Sequence, residues 1–321
     1  MNDIEIYNLF SQSLFSDVLE DEQFYHKKPL LAHYTTLSVL EKILDTDEIW
    51  FSNPLCMNDY EEVKFGISEG MRLIDHNEEI EAVLGEQRAA RFRHFVDHYY
   101  NDYDNNHVIN TYVFCTSEHQ RDDYNGMLSM WRGYGANGGG VAIVFDTAQI
   151  EKRDDTPLFT VKVSYDSREK RIEWLKNKLH EFIEILKATD LPDDKLYLPA
   201  NALFERIKMF AISTKDIGFK EEGEWRSVYL SERDNDRNFK DMFGYYISPR
   251  GIEPKLKFKI LPPIEGLGQK SFSDFVDRII LGPTLSSALA ETTVKRMLYL
   301  KGKPELADKL HRSKIPFRSI Q

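Results

Sequence analysis

The stretch Leu31-Ala32-His33-Tyr34-Thr35-Thr36-Leu37-Ser38-Val39-Leu40-Glu41-Lys42-Ile43-Leu44-Asp45, followed by Ile49-Trp50-Phe51-Ser52-Asn53-Pro54, decides the fold class. Leu37, Leu40, Ile43 and Leu44 recur at helical spacing and give one apolar face. Thr36 or Ser38 caps that helix, because a hydroxyl satisfies an amide that has no partner within the helix. β-Favouring residues then resume at Ile49-Trp50-Phe51. The unit reads as strand, helix, strand, and it predicts His33 and Ser52 facing one another from adjacent strands.

Working outward, Ile4 to Leu19 reads as an opening helix, and Asp59 to Ile74 and Glu79 to Tyr103 as two more. Thr111 to Cys115 reads as a strand, Met127 to Tyr134 as a short helix, and Val141 to Asp146 as a buried strand. Phe159 to Tyr165 alternates like a strand. Arg168 to Thr214 reads as a helical insertion broken at Asp190-Leu191-Pro192-Asp193-Asp194. Strands follow at Glu224–Leu230, Lys255–Ile260 and Phe275–Leu281, then a helix at Ser286–Leu300 and an edge strand at Lys314–Arg318. Strands scattered among helices without regular β-α-β spacing predict an α+β fold with a mixed sheet. With no linker in view, the expectation is a single domain, 1–321, with its helical insertion at about 168–214.

The 321 residues are 41% hydrophobic and 12% aromatic, enough for a sizeable core. Charged residues make up 30% and the net charge is −11, so a broad polyanion-binding face is disfavoured while a local basic cleft stays open. No apolar run is long enough to span a bilayer, and Met1-Asn2-Asp3-Ile4-Glu5 lacks the pattern of a secretory leader. The expectation is a cytoplasmic protein with no membrane partner. Cys56 and Cys115 are too few for a cysteine metal site and too far apart in sequence to suggest a disulfide.

Several motifs bear on chemistry. Gly133-Tyr134-Gly135-Ala136-Asn137-Gly138 fits the letters of a dinucleotide fingerprint, but a helix precedes it and a strand follows, the reverse of what the pyrophosphate needs. It reads as a turn where no side chain fits. His94 and His98 lie one helical turn apart, but Phe95 stands where a zinc protease needs its general base, so they read as a solvated face. Asp59 and Glu62 form a capping box, with Asn58 or Glu61 free to face a pocket. Trp131 and Tyr134 read as core or as a face for an aromatic ligand. On a strand starting at Glu222, the side chains of Glu222, Glu224 and Arg226 share one face. They read either as a structural ion pair or as a carboxylate held to work on a cationic transition state.

Taken in order, these blocks resemble an uncharacterised bacterial family, domain-of-unknown-function family 2971. The likeness runs through His33-Tyr34-Thr35, Phe51-Ser52-Asn53-Pro54, Asn58-Asp59-Tyr60-Glu61 and Phe114-Cys115-Thr116-Ser117. It continues through Trp131-Arg132-Gly133-Tyr134, Phe219-Lys220 with Glu222, Glu224 and Arg226, and Ile280-Leu281-Gly282-Pro283. More remotely the chain resembles ADP-ribosyltransferases of the His-Tyr-Glu type. That resemblance implies a split sheet flanked by helices and NAD as substrate. It implies that His33 binds the adenosine-side ribose, that Tyr134 stacks on nicotinamide and that Glu224 is the catalytic carboxylate. Glu222 would orient or deprotonate the acceptor. Tyr34, Thr35, Ser52, Asn53, Ser117, Trp131 and Arg226 would line the NAD site, with no metal. Tyr34 stands where many polymerase-like members have Gly, and the long insertion before Glu222 is unlike the small toxins.

The expected function is therefore NAD-dependent ADP-ribosyl transfer or NAD hydrolysis, as a toxin or antiphage defence effector. The acceptor is a protein, a nucleic acid, a small molecule or water. The rival is a catalytically inactive ligand-sensing or protein-interaction module of the same fold. A nuclease is disfavoured because no carboxylate cluster has metal-binding spacing.

Overall fold

The computed structural model describes residues 1–19, 23–57, 60–150, 156–248, 251–260 and 270–317. The chain is α+β and resolves into two compact units, each assembled from separate stretches. Met1–Glu22, Asn53–Thr111 and Val163–Lys220 form one unit; Gln23–Ser52, Tyr112–Lys162 and Glu221–Gln321 form the other.

The first unit is largely helical. The segment expected as an insertion supplies its centre. The helix Tyr197–Ser213 is buried almost all round, from Leu198 through Phe204 to Ile212. The helix Tyr60–Asp75 meets it at two glycines. A Cβ on Gly66 would sit 2.6 Å from the Ala211 Cα, and one on Gly70 would sit 2.5 Å from an Ile207 methyl, so only hydrogen fits at either position. Buried Arg171, on the helix Arg168–Ala188, donates to Glu62 at 2.5 Å and to Thr214 at 3.2 Å. Asn58 and Asp59, and with them the expected capping box, lie outside the described residues.

The second unit holds the large sheet. Its described strands are β1 (Leu30–Thr35), β2 (Glu48–Ser52), β3 (Thr111–His119), β4 (Val141–Asp146), β5 (Leu158–Lys162), β6 (Glu224–Leu230), β7 (Phe243–Ser248), β8 (Gly251–Lys259), β9 (Val276–Leu281) and β10 (Leu310–Arg312). Their order is β10-β9-β4-β1-β3-β2-β8-β7, with β6 branching off to pair β3 and β5. Among the described strands the pairing is mostly antiparallel; β9 with β10 is parallel. Three helices are placed as the periodicity predicts: α1 (Leu37–Thr46), α2 (Leu128–Gly133) and α3 (Ala288–Leu300). Thr36 is the α1 cap, its hydroxyl accepting from the Val39 amide at 3.2 Å. Leu40, Ile43 and Leu44 of α1 pack on Phe51, Phe114, Ile143 and Leu256 from four strands.

Two expectations are corrected. His33 and Ser52 do not face one another, because β3 lies between β1 and β2. Ser52 registers with Val113, whereas the His33 ring packs 4.6 Å from that of Phe114, the next residue, which points to the opposite face. The strand runs over Glu224–Leu230 as expected, and what fails is the earlier start at Glu222 on which Glu222 would share a face with Glu224 and Arg226. Gly223 has φ +51°, outside the extended region, so strand alternation does not reach back to Glu222.

No helix among the described residues is long and apolar enough to cross a membrane.

Candidate functional site

β3 is the organising strand. It pairs with β1 over Leu30–Ala32 and with β2 at Ser52 opposite Val113. Between those two contacts the His33 Nδ1 meets the Cys115 carbonyl oxygen at 3.0 Å. A carbonyl only accepts, so Nδ1 carries the proton and donates, and Nε2 is left as an acceptor in the neutral ring. Burial lowers the His33 pKa below its ordinary value; the Cys115 bond opposes that and the Lys255 charge reinforces it. The ring is neutral near pH 7.

Along its other partner, β3 is tied to β6. The Glu118 amide donates to the Gly223 carbonyl at 2.8 Å, and the Thr116 hydroxyl donates to the Trp225 carbonyl at 3.2 Å. That register sets Ser117 beside Glu224, with their side chains on one face. Arg226, two residues on, shares it. Its Nε and a terminal nitrogen reach the two Glu224 oxygens at 2.9 and 3.1 Å, a two-pronged pair that leaves only 4% and 2% of these residues exposed. The Ser117 hydroxyl is buried and has no hydrogen-bond partner among the described residues.

Glu222 sits in the turn of 3-10 helix, Ile217–Glu222, that leads into β6. The Tyr134 hydroxyl donates to its Oε1 at 2.8 Å. Tyr134 is 40% exposed and Glu222 part-exposed, so this pair is reachable from solvent in a way that Glu224 is not. Tyr134 is held there by its neighbours. Trp131, fully buried, donates its indole N–H to the Asn125 carbonyl at 2.8 Å. Tyr34 meets Trp131 edge-on at 4.8 Å, and its hydroxyl accepts from the Met127 amide at 2.9 Å. Burial pushes the Tyr34 pKa up to about 12. The glycines after Tyr134 do form a turn without room for side chains: a Cβ on Gly140 would lie 2.2 Å from the Thr35 carbonyl oxygen.

The remaining expected site residues are engaged within the fold. Asn53, fully buried, donates its amide to the carbonyls of Val108, Ile109 and Thr111 and accepts from the Leu55 amide. Thr35 is buried at the end of β1. Ser52 accepts from the Lys255 ammonium at 2.8 Å. Thus Tyr134 with Glu222 and Ser117 with Glu224 and Arg226 are brought together. His33 stands apart, with no hydrogen bond to Tyr134, Glu222 or Glu224. Lys255, which touches Ser52 and acts on His33, was not singled out in sequence; the alternating Lys255-Leu256-Lys257-Phe258-Lys259 was its only signal. Among the described residues no group of three or more His, Cys, Asp and Glu side chains is placed to hold a metal ion.

The class these features define is an α+β protein with a mostly antiparallel sheet and a Tyr-Glu pair at the mouth of one strand. Residues 130–227 match a family model described as "Protein of unknown function (DUF2971)", and the matched stretch contains Trp131, Tyr134, Glu222, Glu224 and Arg226. No curated protein and no solved structure matches the chain.

Proposed function

We propose that this chain cleaves the bond between nicotinamide and ribose in NAD, passing ADP-ribose to an acceptor or to water. The observation that carries this reading is the solvent-reachable Tyr134–Glu222 pair, 2.8 Å apart, beside a row of polar side chains on β3 and β6. When the C1′–N bond breaks, its electron pair leaves with neutral nicotinamide and the ribose becomes oxocarbenium-like. A fixed carboxylate stabilises that charge more than it stabilises intact NAD. Glu222 takes this role, and the Tyr134 ring offers nicotinamide an aromatic face. The acceptor oxygen then bonds to C1′ and gives its proton to a carboxylate. The products are an ADP-ribosylated acceptor, or free ADP-ribose, with nicotinamide and a proton.

Glu224 serves differently from the catalytic role expected of it. Its charge is offset by Arg226, and a neutralised carboxylate stabilises a cation poorly, so it acts as a positioning residue for the turn that carries Glu222. His33 takes no part in this reading: it lies between Ala32 and Tyr34, which pack with Trp131, so its ring turns to the opposite face of the sheet, against Phe114. An effector role in a bacterial toxin or antiphage system is proposed from family likeness.

The buried Glu224–Arg226 pair and the buried Trp131 favour a second reading, a ligand-sensing or interaction module without turnover. Nicotinamide release by the purified chain separates the two. Glu222→Gln is expected to slow release about 100-fold or more, the usual loss for one transition-state electrostatic contact. Release that ignores Glu222→Gln removes Glu222 from the reaction, and release lost only in Glu224→Gln makes Glu224 the catalytic carboxylate. No release, with a thermal shift on adding NAD, supports the module. Neither release nor shift discards NAD.

A further inference from the structure

The outer strands of the sheet carry a patch that the NAD reading does not use. Lys255, Lys257 and Lys259 alternate along β8, so they share one face at about 7 Å intervals. Lys257 registers with Trp50 on β2, and Tyr246 on β7 registers with Glu253 on β8. The Trp50 and Tyr246 rings lie 5.6 Å apart, tilted by 52°, so neither covers the other. The Lys257 ammonium is 4.9 Å from the centre of the Trp50 ring. Lys42, from α1, reaches both rings, at 4.3 Å from Tyr246 and 5.6 Å from Trp50. All four residues are part-exposed. Gly244 leaves the Lys257 stem its path, because a Cβ there would stand 3.2 Å from Lys257 Cε.

The charge balance is uneven. Lys255 has Glu253 at 3.1 Å and Lys259 has Glu48 at 4.0 Å. Glu48 also accepts the Trp50 indole N–H at 3.2 Å. Lys42 and Lys257 have ring partners but no carboxylate partner among the described residues. In a chain of net charge −11, two ammonium groups held against aromatic rings rather than against carboxylates make a local exception.

The combination selects its ligand. An acidic peptide would use the ammonium groups and leave the rings idle. A duplex offers phosphates but hides its base faces in the stack. A single nucleic-acid strand supplies both parts, phosphates for the lysines and flat bases for the rings. We propose that Lys42, Trp50, Tyr246 and Lys257 form a binding surface for single-stranded nucleic acid, the rings stacking on bases and the lysines contacting phosphates. This surface is independent of the Tyr134–Glu222 chemistry and is tested without NAD.

The test is fluorescence anisotropy of a dye-labelled single-stranded oligonucleotide of about 12 nucleotides and mixed sequence, titrated with the full chain. Binding is expected at low salt. It weakens as salt rises, with a log–log slope near −1.4, from two phosphate contacts at about 0.7 each. Trp50→Ala is expected to weaken binding about 10-fold, and Tyr246→Ala similarly, which keeps the stacking test alive if one variant does not fold. Lys42→Glu and Lys257→Glu each weaken binding and make the slope shallower, with melting temperatures near the parent's showing that the fold is kept. A duplex of the same sequence binds more weakly than the single strand. The proposal is overturned if the parent fails to bind at low salt, if folded lysine variants bind like the parent, if both aromatic variants retain full affinity, or if the duplex binds as tightly.

Discussion

Arg226→Met removes one half of the buried Glu224–Arg226 ion pair. Arg226 and Glu224 are 2% and 4% exposed, and the two contacts of 2.9 and 3.1 Å occupy both carboxylate oxygens. Methionine fills much of the arginine stem's volume, so packing changes little and the dominant cost is a buried carboxylate that has lost its two arginine contacts. Breaking a buried pair in this way costs about 3–5 kcal/mol, far above the ~0–1 kcal/mol of an exposed pair. For a unit of this size that is a fall in melting temperature on the order of 10 °C. Replacing both members, as Glu224→Leu with Arg226→Met, removes the stranded charge. The double variant is expected to regain most of the lost stability. The assay is thermal and urea unfolding of the four proteins of this double-mutant cycle at neutral pH. An Arg226→Met loss below about 1 kcal/mol would mean that the pair behaves as a solvated surface contact and not as a buried one. A double variant as unstable as the single would show that packing, not charge, sets the cost.

Three further outcomes are expected. His33, His119 and His311 all have lowered pKa values, with burial the first cause in each. The unfolded chain therefore binds more protons than the folded one just below the ordinary histidine value of about 6.5, and stability falls as pH drops through 6.5. Unfolding curves between pH 8 and 5 should show this decline, and it should be shallower in His33→Gln; an unchanged slope in that variant contradicts a neutral, buried ring. Gly140→Ala should destabilise by about 1–3 kcal/mol, since the new methyl would lie 2.2 Å from the Thr35 carbonyl oxygen; a neutral result in urea unfolding means the turn can shift. Asn53→Ala should cost about 1–3 kcal/mol by leaving the carbonyls of Val108, Ile109 and buried Thr111 without this donor, and hydrogen exchange should report the loss around Val108 to Thr111.

Local chemistry was legible and remote pairing was not. The spacing of Leu37, Leu40, Ile43 and Leu44 gave α1, and Thr36 took the cap, because both signals lie within one helical turn. The glycines from Gly133 to Gly140 were readable as a turn because the order of helix and strand around them excluded a phosphate site. What sequence could not supply was the neighbour of a strand. Nothing in Trp50-Phe51-Ser52 says that β3, some sixty residues on, separates it from His33. The site divides along the same line. Alternation correctly grouped Glu224 with Arg226, but the φ of Gly223 removed Glu222 from the strand and left it to meet Tyr134 instead. Trp131 and Asn53 read equally well as ligand contacts or as core, and only the burial of their polar groups shows how the fold employs them.

The measurement that bears most directly on the account is the structure of the full chain bound to an NAD analogue whose nicotinamide–ribose bond cannot be cleaved. The prediction is that the nicotinamide ring lies on Tyr134, with the ribose C1′ about 3–3.5 Å from a Glu222 oxygen, the distance at which a carboxylate can stabilise the forming cation. An analogue ordered elsewhere, with the Tyr134–Glu222 hydrogen bond untouched, would contradict it.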